Sequence, residues 1–256
     1  MVDIHAHVLP GVDDGANDYE TGVVMAQMAE ESGVTDIIVT PHANQRHRFE
    51  NYVSEDQEDR LTLLQAALRH ANIAVRLHPG MEVYGTPDVP ALLRAGKIRT
   101  LAGSRYLLIE FSPRETPAFM DELLHRLKAE GVVPVVAHPE RYRALRDMPD
   151  VLFNWVSEGI CLQVNKGSLN GRFGQAAQHM AHLILDNGLA SAVASDAHDA
   201  DYRTTDLSRV QEYLTLRYSR RTADRLLIDN PTRILRDLPL LSVGSMYANY
   251  GQEVLL

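Results

Sequence analysis

Seven short apolar runs alternate with helical stretches from one end of the chain to the other, and this alternation limits the fold more than any other feature. The runs fall at about 2–6, 36–40, 74–78, 106–110, 132–137, 160–164 and 190–194, each followed by helix-like sequence. Strand-then-helix repetition implies a parallel sheet joined by crossover helices. Caps and stops mark the helices. Asn17 or Asp18 opens one that ends at Glu31 before Gly33, and Ser54 with Gln57 forms a capping box for another over about 55–71. Thr86-Pro87 predicts a short helix with Pro87 at its first position, and Thr116-Pro117 repeats that opening for a helix ending before Gly131. Further helices over about 149–158 and 175–187 stop at Gly159 and Gly188. Helical sequence over about 205–236 is expected to break at Asn230-Pro231. The economical closure is an α/β fold, a (β/α) barrel of seven units, although pattern alone leaves an open doubly wound sheet available.

At 256 residues the chain reads as one domain, 1–256, with about 238–256 as a C-terminal extension carrying Tyr247 and Tyr250. No apolar run reaches the length of a membrane span, and no basic-then-apolar leader is seen, so a cytoplasmic protein without membrane insertion is expected. The single cysteine, Cys161, lies in an apolar run and reads as a small buried hydrophobe. A net charge of −9 argues against nucleic acid as a partner.

The chemistry-bearing residues collect at one place in each unit. The first run carries His5 and leads into His7; side chains two apart on a strand share a side, so the imidazoles stand about 6–7 Å apart along the backbone. Asp14 follows across the Pro10-Gly11 turn, while Asp13 reads as a residue that holds that turn. His42 follows the second run, Glu82 the third, Glu110 ends the fourth, His138 follows the fifth, and Asp196 and His198 follow the seventh. In a parallel barrel the C-terminal strand ends share one face, where catalytic residues gather. Any one of these residues has an ordinary reading as a turn, core or ion-pair residue; the coincidence of all nine at strand ends points to a site for two or three metal ions. The mixed imidazole and carboxylate set suits zinc, manganese or iron. His70, His78, His125, His179 and His182 lie off the pattern and read as surface or packing residues.

His5-Ala6-His7, Thr40-Pro41-His42, Pro79-Gly80-Met81-Glu82, the 137–141 segment Ala-His-Pro-Glu-Arg, the 164–169 segment Val-Asn-Lys-Gly-Ser-Leu and Ser195-Asp196-Ala197-His198 resemble the PHP (polymerase and histidinol phosphatase) superfamily. More closely, they resemble the bacterial PHP-type protein-tyrosine phosphatases of capsule and exopolysaccharide systems, as does the opening His7-Val8-Leu9-Pro10-Gly11-Val12-Asp13-Asp14-Gly15. The resemblance implies a distorted seven-unit barrel and three divalent ions, manganese first, with iron or zinc as alternatives. It implies one ion at His5, His7, Glu82 and Asp196, a second at Asp14, His42 and His198, and a third at Glu110, His138 and shared Glu82. Many members of the superfamily have histidine at the place of Asp14 or Glu110; the carboxylates here fit the tyrosine-phosphatase branch better than histidinol phosphatase or the polymerase-associated nuclease.

The expected reaction is hydrolysis of a phosphate monoester by a metal-activated water. Four ligand carboxylates against three divalent ions leave about +2, and Arg141 and Arg203 are expected to add guanidinium forks suited to a phosphate dianion. Cys161 has Gly167 six residues on, not arginine, so a thiol phosphate loop is not present. The expected partner is a phosphotyrosine-containing protein, by analogy the Tyr-rich tail of a bacterial tyrosine kinase. The alternatives are a small phosphate monoester such as histidinol phosphate, or a noncatalytic metal- or phosphotyrosine-binding module. The 46–52 loop, Arg-His-Arg-Phe-Glu-Asn-Tyr, borders His42 and is a candidate contact for a phosphotyrosine ring.

Overall fold

The computed structural model describes residues 1–241. Its strand segments are β1 (Val2–Ala6), β2 (Asp36–Val39), β3 (His42–Ala43), β4 (Arg76–Pro79), β5 (Glu82–Tyr84), β6 (Tyr106–Glu110), β7 (Val133–Ala137), β8 (Cys161–Asn165) and β9 (Ala192–Ala194). The second and third expected strands, which the sequence ends at about 40 and 78, are therefore each continued by a further short segment that carries His42 or Glu82. Pro41, with no N–H to give to a ladder, interrupts the second between β2 and β3. Gly80 interrupts the third between β4 and β5, where the backbone passes so close to Ile38 that an added Cβ would lie 2.8 Å from its Cγ2. The split divides the wall into two parallel sheets, ordered β1-β2-β4 and β3-β5-β6-β7-β8-β9. The far edge meets β1 again: Ala6 bridges Ala197, Asp196 N–H donates to His5 C=O at 2.8 Å, and His7 N–H donates to Ala197 C=O at 2.9 Å. Taken by unit, strand order around the wall follows chain order, a seven-unit ring distorted at its second and third members.

The helices are α1 (Tyr19–Glu31), α2 (Glu55–His70), α3 (Val89–Arg94), α4 (Pro117–Ala129), α5 (Arg143–Asp147), α6 (Asp150–Ser157), α7 (Lys166–Leu169), α8 (Gln175–Asp186), α9 (Ser208–Arg217), α10 (Arg220–Asp224) and α11 (Asn230–Leu235). Asp18, Ser54 and Thr116 cap α1, α2 and α4, accepting from the N–H groups of Thr21, Gln57 and Phe119. Two expectations are corrected. The short helix begins at Val89, with Pro90 rather than Pro87 in its first turn, because Thr86 and Asp88 bond each other in the preceding turn. The C-terminal helical stretch breaks at Tyr218 and Ser219, not at Asn230-Pro231. Arg225–Asp229 form a wider π turn that leads straight into α11, and Pro231 sits in the first turn of α11, where its missing N–H does no harm.

Alternation along the strands builds two apolar layers and the site at once. Outward residues such as Ile37, Leu107, Ile109, Val136, Leu162 and Val193 pack against the helices. Val2, Ile4, Ile38, Tyr106, Leu108, Val135, Ala137, Cys161, Ala192 and Ala194 fill the interior, closed below by Leu101 and Ile234. On three strands the same face runs from apolar to polar toward the C-terminal end: Tyr106, Leu108, Glu110; Cys161, Gln163, Asn165; Ala192, Ala194, Asp196. The packed interior is thus the floor of the site. Of the expected C-terminal extension, the Leu238 carbonyl accepts from Tyr106 Oη at 2.8 Å, and Leu241 N–H donates to Asn230 Oδ1 at 2.9 Å. Tyr247 and Tyr250 lie outside the described residues. Among the described residues no helix is long and apolar enough to cross a membrane.

Candidate metal centre

All nine strand-end residues converge on the C-terminal face. His5 Nε2 and His7 Nε2 stand 3.2 Å apart; each is 3.2–3.3 Å from Glu82 Oε2 and 3.5–3.6 Å from Asp196 Oδ1. A cation about 2.1 Å from each of four tetrahedral donors would space them about 3.4 Å apart. The two imidazole nitrogens are therefore spaced from each other and from both carboxylate oxygens as such a cation requires, the four donors lie within 4.8 Å of one another, and all four residues are buried.

Two orienting contacts leave those nitrogens free. Gln163 Oε1 takes the Nδ1 side of His5 at 2.9 Å, and Asp13 Oδ2 takes the Nδ1 side of His7 at 2.8 Å, which fixes both tautomers with Nε2 inward. Asp13 does close the turn, through Gly15 N–H on its Oδ1, but its other oxygen also accepts from His42 N–H at 2.9 Å. Its larger role, holding the His7 imidazole and the His42 backbone, was invisible in a Pro-Gly-Val-Asp-Asp-Gly turn. Gln163 was missed too, although a glutamine inside a buried apolar strand was the available signal.

His42 joins this set to the rest. Its Nε2 is 3.3 Å from Asp14 Oδ1, which is also 3.5 Å from His198 Nε2, so the expected trio of Asp14, His42 and His198 does assemble. The trio expected around Glu110 is arranged differently. His138 Nε2 meets Glu82 Oε1 at 2.9 Å, while His42 Nδ1 lies 3.0 Å from both Glu82 Oε2 and Glu110 Oε1. The cause is local: β3 pairs with β5 so that His42 lies directly opposite Glu82. Phe49 stacks on the His42 ring at 5.5 Å and 7°, and Gln45 bonds both His42 and Glu110, so the 46–52 loop borders the site as expected.

Charge explains the titration pattern. Burial disfavours protonation of His5, but Glu82 and Asp196 outweigh it and raise its pKa to about 9. Burial likewise opposes protonation of His42, yet Glu82, Asp14 and Glu110 push its pKa well up. Burial works against ionisation of Glu82, and His5 and His42 nevertheless hold its carboxyl well below the usual range. Glu82 Oε2 is enclosed, faces three imidazoles, and has no hydrogen-bond partner. The backbone is strained at the same place: His138 (φ 34°) and Asp196 (φ 49°), each just beyond a strand, adopt left-handed conformations that cost such residues about 1–3 kcal/mol.

A cavity of about 650 Å³ opens above these groups, walled by Arg46, Arg48, Tyr84 and Phe111. Arg141 and Arg203 also line it and reach Asp196 Oδ2 at 3.3 and 2.7 Å. Neither is a detached surface pair; both guanidiniums stand at the mouth of the site.

The family profile of capsular polysaccharide synthesis proteins CpsB/CapC matches residues 1–236. The chain belongs to the CpsB/CapC family. Within it, tyrosine-protein phosphatase YwqE of Bacillus subtilis is 34% identical over 204 residues, 79% of each chain. Tyrosine-protein phosphatase CpsB of Streptococcus pneumoniae is 31% identical over 242 residues, 93% of this chain and 99% of that one. A crystal structure from work on these two enzymes, described as unique metal-dependent tyrosine phosphatases, superposes with a TM-score of 0.86 at 30% identity, covering 94% of this chain and 96% of that one. A Listeria monocytogenes lactonase superposes with a TM-score of 0.60 at 12% identity, which is a likeness of fold alone.

Beyond the expected nine and the two arginines, this member of the CpsB/CapC family shows further supports. Asn165 donates to Asp196 through Nδ2, and buried Glu140 accepts from Asn165 N–H at 2.9 Å and Ser168 Oγ at 2.6 Å. Both belong to segments that the sequence had marked, but their supporting role depends on side-chain direction that spacing does not give.

Proposed function

We propose that this chain is a metal-dependent protein-tyrosine phosphatase, acting in the cytoplasm on a phosphotyrosine-bearing protein of a capsule or exopolysaccharide system, with a bacterial tyrosine kinase as its partner. The observation that carries this reading is Glu82 Oε2, a buried carboxylate oxygen ringed by His5, His7 and His42 at 3.0–3.3 Å with no hydrogen bond, beneath a cavity edged by two arginines. An enclosed anion among inward imidazole nitrogens is the donor chemistry of a cation site.

In this reading His5, His7, Glu82 and Asp196 hold one divalent ion, Asp14, His42 and His198 a second, and Glu110 with His138 and Glu82 a third, with manganese ahead of iron and zinc. Such ions supply a water of lowered pKa and positive charge opposite the phosphoryl oxygens. The protein's own groups do the rest. Gln163 and Asp13 keep the first two imidazoles aimed inward. Arg141 and Arg203 offer planar donors to the equatorial phosphate oxygens, where charge is spread as the phosphoryl group transfers. The walls formed by Tyr84 and Phe111 give an aromatic leaving group an apolar flank. Cys161 takes no part: it is buried in the barrel interior, and burial pushes its thiol up to about 11.

The test compares turnover of phosphotyrosyl peptides with that of histidinol phosphate, in protein loaded with manganese. Preferential release of phosphate from the peptides supports the reading. Clear preference for the small metabolite replaces it, and retained metal without hydrolysis of either makes the chain a binding module.

A further inference from the structure

A second cavity, of about 620 Å³, lies beside the first. It matches the catalytic cavity in size and shares Arg203 with it as a common wall. Phe173 lines the second cavity and carries both site guanidiniums on its ring: Arg141 lies 4.5 Å and Arg203 5.8 Å from its centroid. The partition between the two spaces is therefore an aromatic ring gripped by the arginines that face the phosphate site.

The second cavity combines aromatic and cationic surface. The Arg172 guanidinium carbon lies over the Tyr202 ring, 4.1 Å from its centroid, and Tyr202 is 65% exposed, an unusual display of a large ring with its face already dressed by a cation. Arg209 and Tyr213 stand on α9 on the same lining. Four basic residues line the space, Lys166, Arg172, Arg203 and Arg209, against two acidic ones, Asp201 and Asp206. Lys166 is spent on the carbonyls of Thr204 and Asp206, and Asp206 in turn accepts from Ser208 at the start of α9. Arg172 and Arg209 enter no ion pair among the described residues, which leaves two guanidiniums available in a protein whose net charge is −9.

Resting on the phosphatase reading above, we propose that this cavity is a second subsite that binds, without hydrolysing, another phosphotyrosine of the same polypeptide. Arg172 and Arg209 take the phosphate, and Phe173, Tyr202 and Tyr213 flank the ring. An aromatic body with a dianionic tip matches a lining that is aromatic and doubly cationic. The shared Arg203 makes the two subsites neighbours, so one extended peptide can span both. None of the nine strand-end ligand candidates lines this space, which fits a binding rather than a hydrolytic role.

The experiment measures kcat/KM for a peptide with one phosphotyrosine, for the same peptide with a second phosphotyrosine at a series of spacings, and for the peptide with glutamate at the second position. Wild-type, Arg172→Ala and Arg209→Ala proteins are compared, each loaded with manganese. The expected result is a gain of about tenfold, mostly in KM, for the doubly phosphorylated peptide at one favoured spacing, a size typical of one added charge-assisted contact. Either substitution removes the gain while the singly phosphorylated peptide is turned over as before. Equal turnover of the singly and doubly phosphorylated peptides by the wild type overturns the subsite, as does an equal gain from glutamate, which would make the occupant merely acidic. If the wild type fails on the singly phosphorylated peptide, the phosphatase reading itself fails and the subsite falls with it.

Discussion

Gln163 Oε1 lies 2.9 Å from His5 Nδ1, and that contact turns His5 Nε2 inward toward Glu82. A glutamine two residues before Asn165 on β8 thus decides which nitrogen of a distant histidine is free to act as a donor.

Replacing Gln163 with Leu removes the partner without opening a large void. Outer contacts of this kind are worth about 10–100-fold in metal affinity. The Gln163→Leu protein is expected to need that much more manganese for half-maximal activity, and to recover most of its kcat at saturating metal. A metal titration followed by phosphate release checks this; an unchanged titration midpoint contradicts the role given to Gln163.

Arg203 is expected to matter through geometry as well as charge. Its Nη2 is 2.7 Å from Asp196 Oδ2 and faces the cavity. Arg203→Ala should lower kcat/KM by about 10²–10³, the usual loss when one preorganised donor to a developing anion is removed. Arg203→Lys should recover only part of it, since an ammonium lacks the planar fork. Steady-state kinetics on one phosphotyrosyl peptide separates the two.

Thiol reagents should leave turnover intact. Cys161 is buried, and its pKa, raised to about 11, leaves little thiolate at neutral pH. Full activity after iodoacetamide treatment is the expected outcome, and stoichiometric inactivation would point to thiol chemistry instead.

The metal-free protein should lose stability as the solution turns alkaline. The pKa of His5 is raised to about 9 in the folded chain, against about 6.5 when unfolded. A raised imidazole pKa stabilises the fold fully below about 6.5, and that contribution fades as pH climbs through about 9. With chelator present, Tm is expected to fall by several degrees across that window. A bound divalent cation would keep the imidazoles neutral, so with metal Tm is expected to be higher and the alkaline fall absent. Thermal melts at matched pH with and without manganese read both effects.

Much of this was legible in the linear order of residues. The seven-unit alternation survives, β1 and β6 begin and end where their apolar runs do, and all nine ligand candidates arrive at one face because parallel units carry the C-terminal ends of their expected runs, and the residues just past them, to the same rim. What spacing does not encode is how strands bend. Pro41 and Gly80 split two strands, bring His42 opposite Glu82, and so place His42 where His138 was expected beside Glu110. Nor does periodicity reveal a π turn that lets Pro231 ride inside a helical run. Asp13 looked like turn punctuation because half of what it does is punctuation; its bonds to His7 and His42 depend on a register set 29 residues away.

His138→Ala tests the site from another side. His138 is held in a left-handed backbone conformation with its Nε2 on Glu82, and alanine removes the imidazole without adding bulk. Activity should disappear while the circular dichroism spectrum is kept; normal turnover by this variant removes His138 from the site.

The most direct measurement is metal content and phosphate release on the same preparations: protein as purified without added metal, protein stripped with chelator, and stripped protein reloaded with manganese. Convergence of nine donors under an arginine-edged cavity predicts that release of phosphate from a phosphotyrosyl peptide rises and falls with bound divalent metal and vanishes in the stripped sample. Undiminished hydrolysis by protein shown to contain no metal would contradict it.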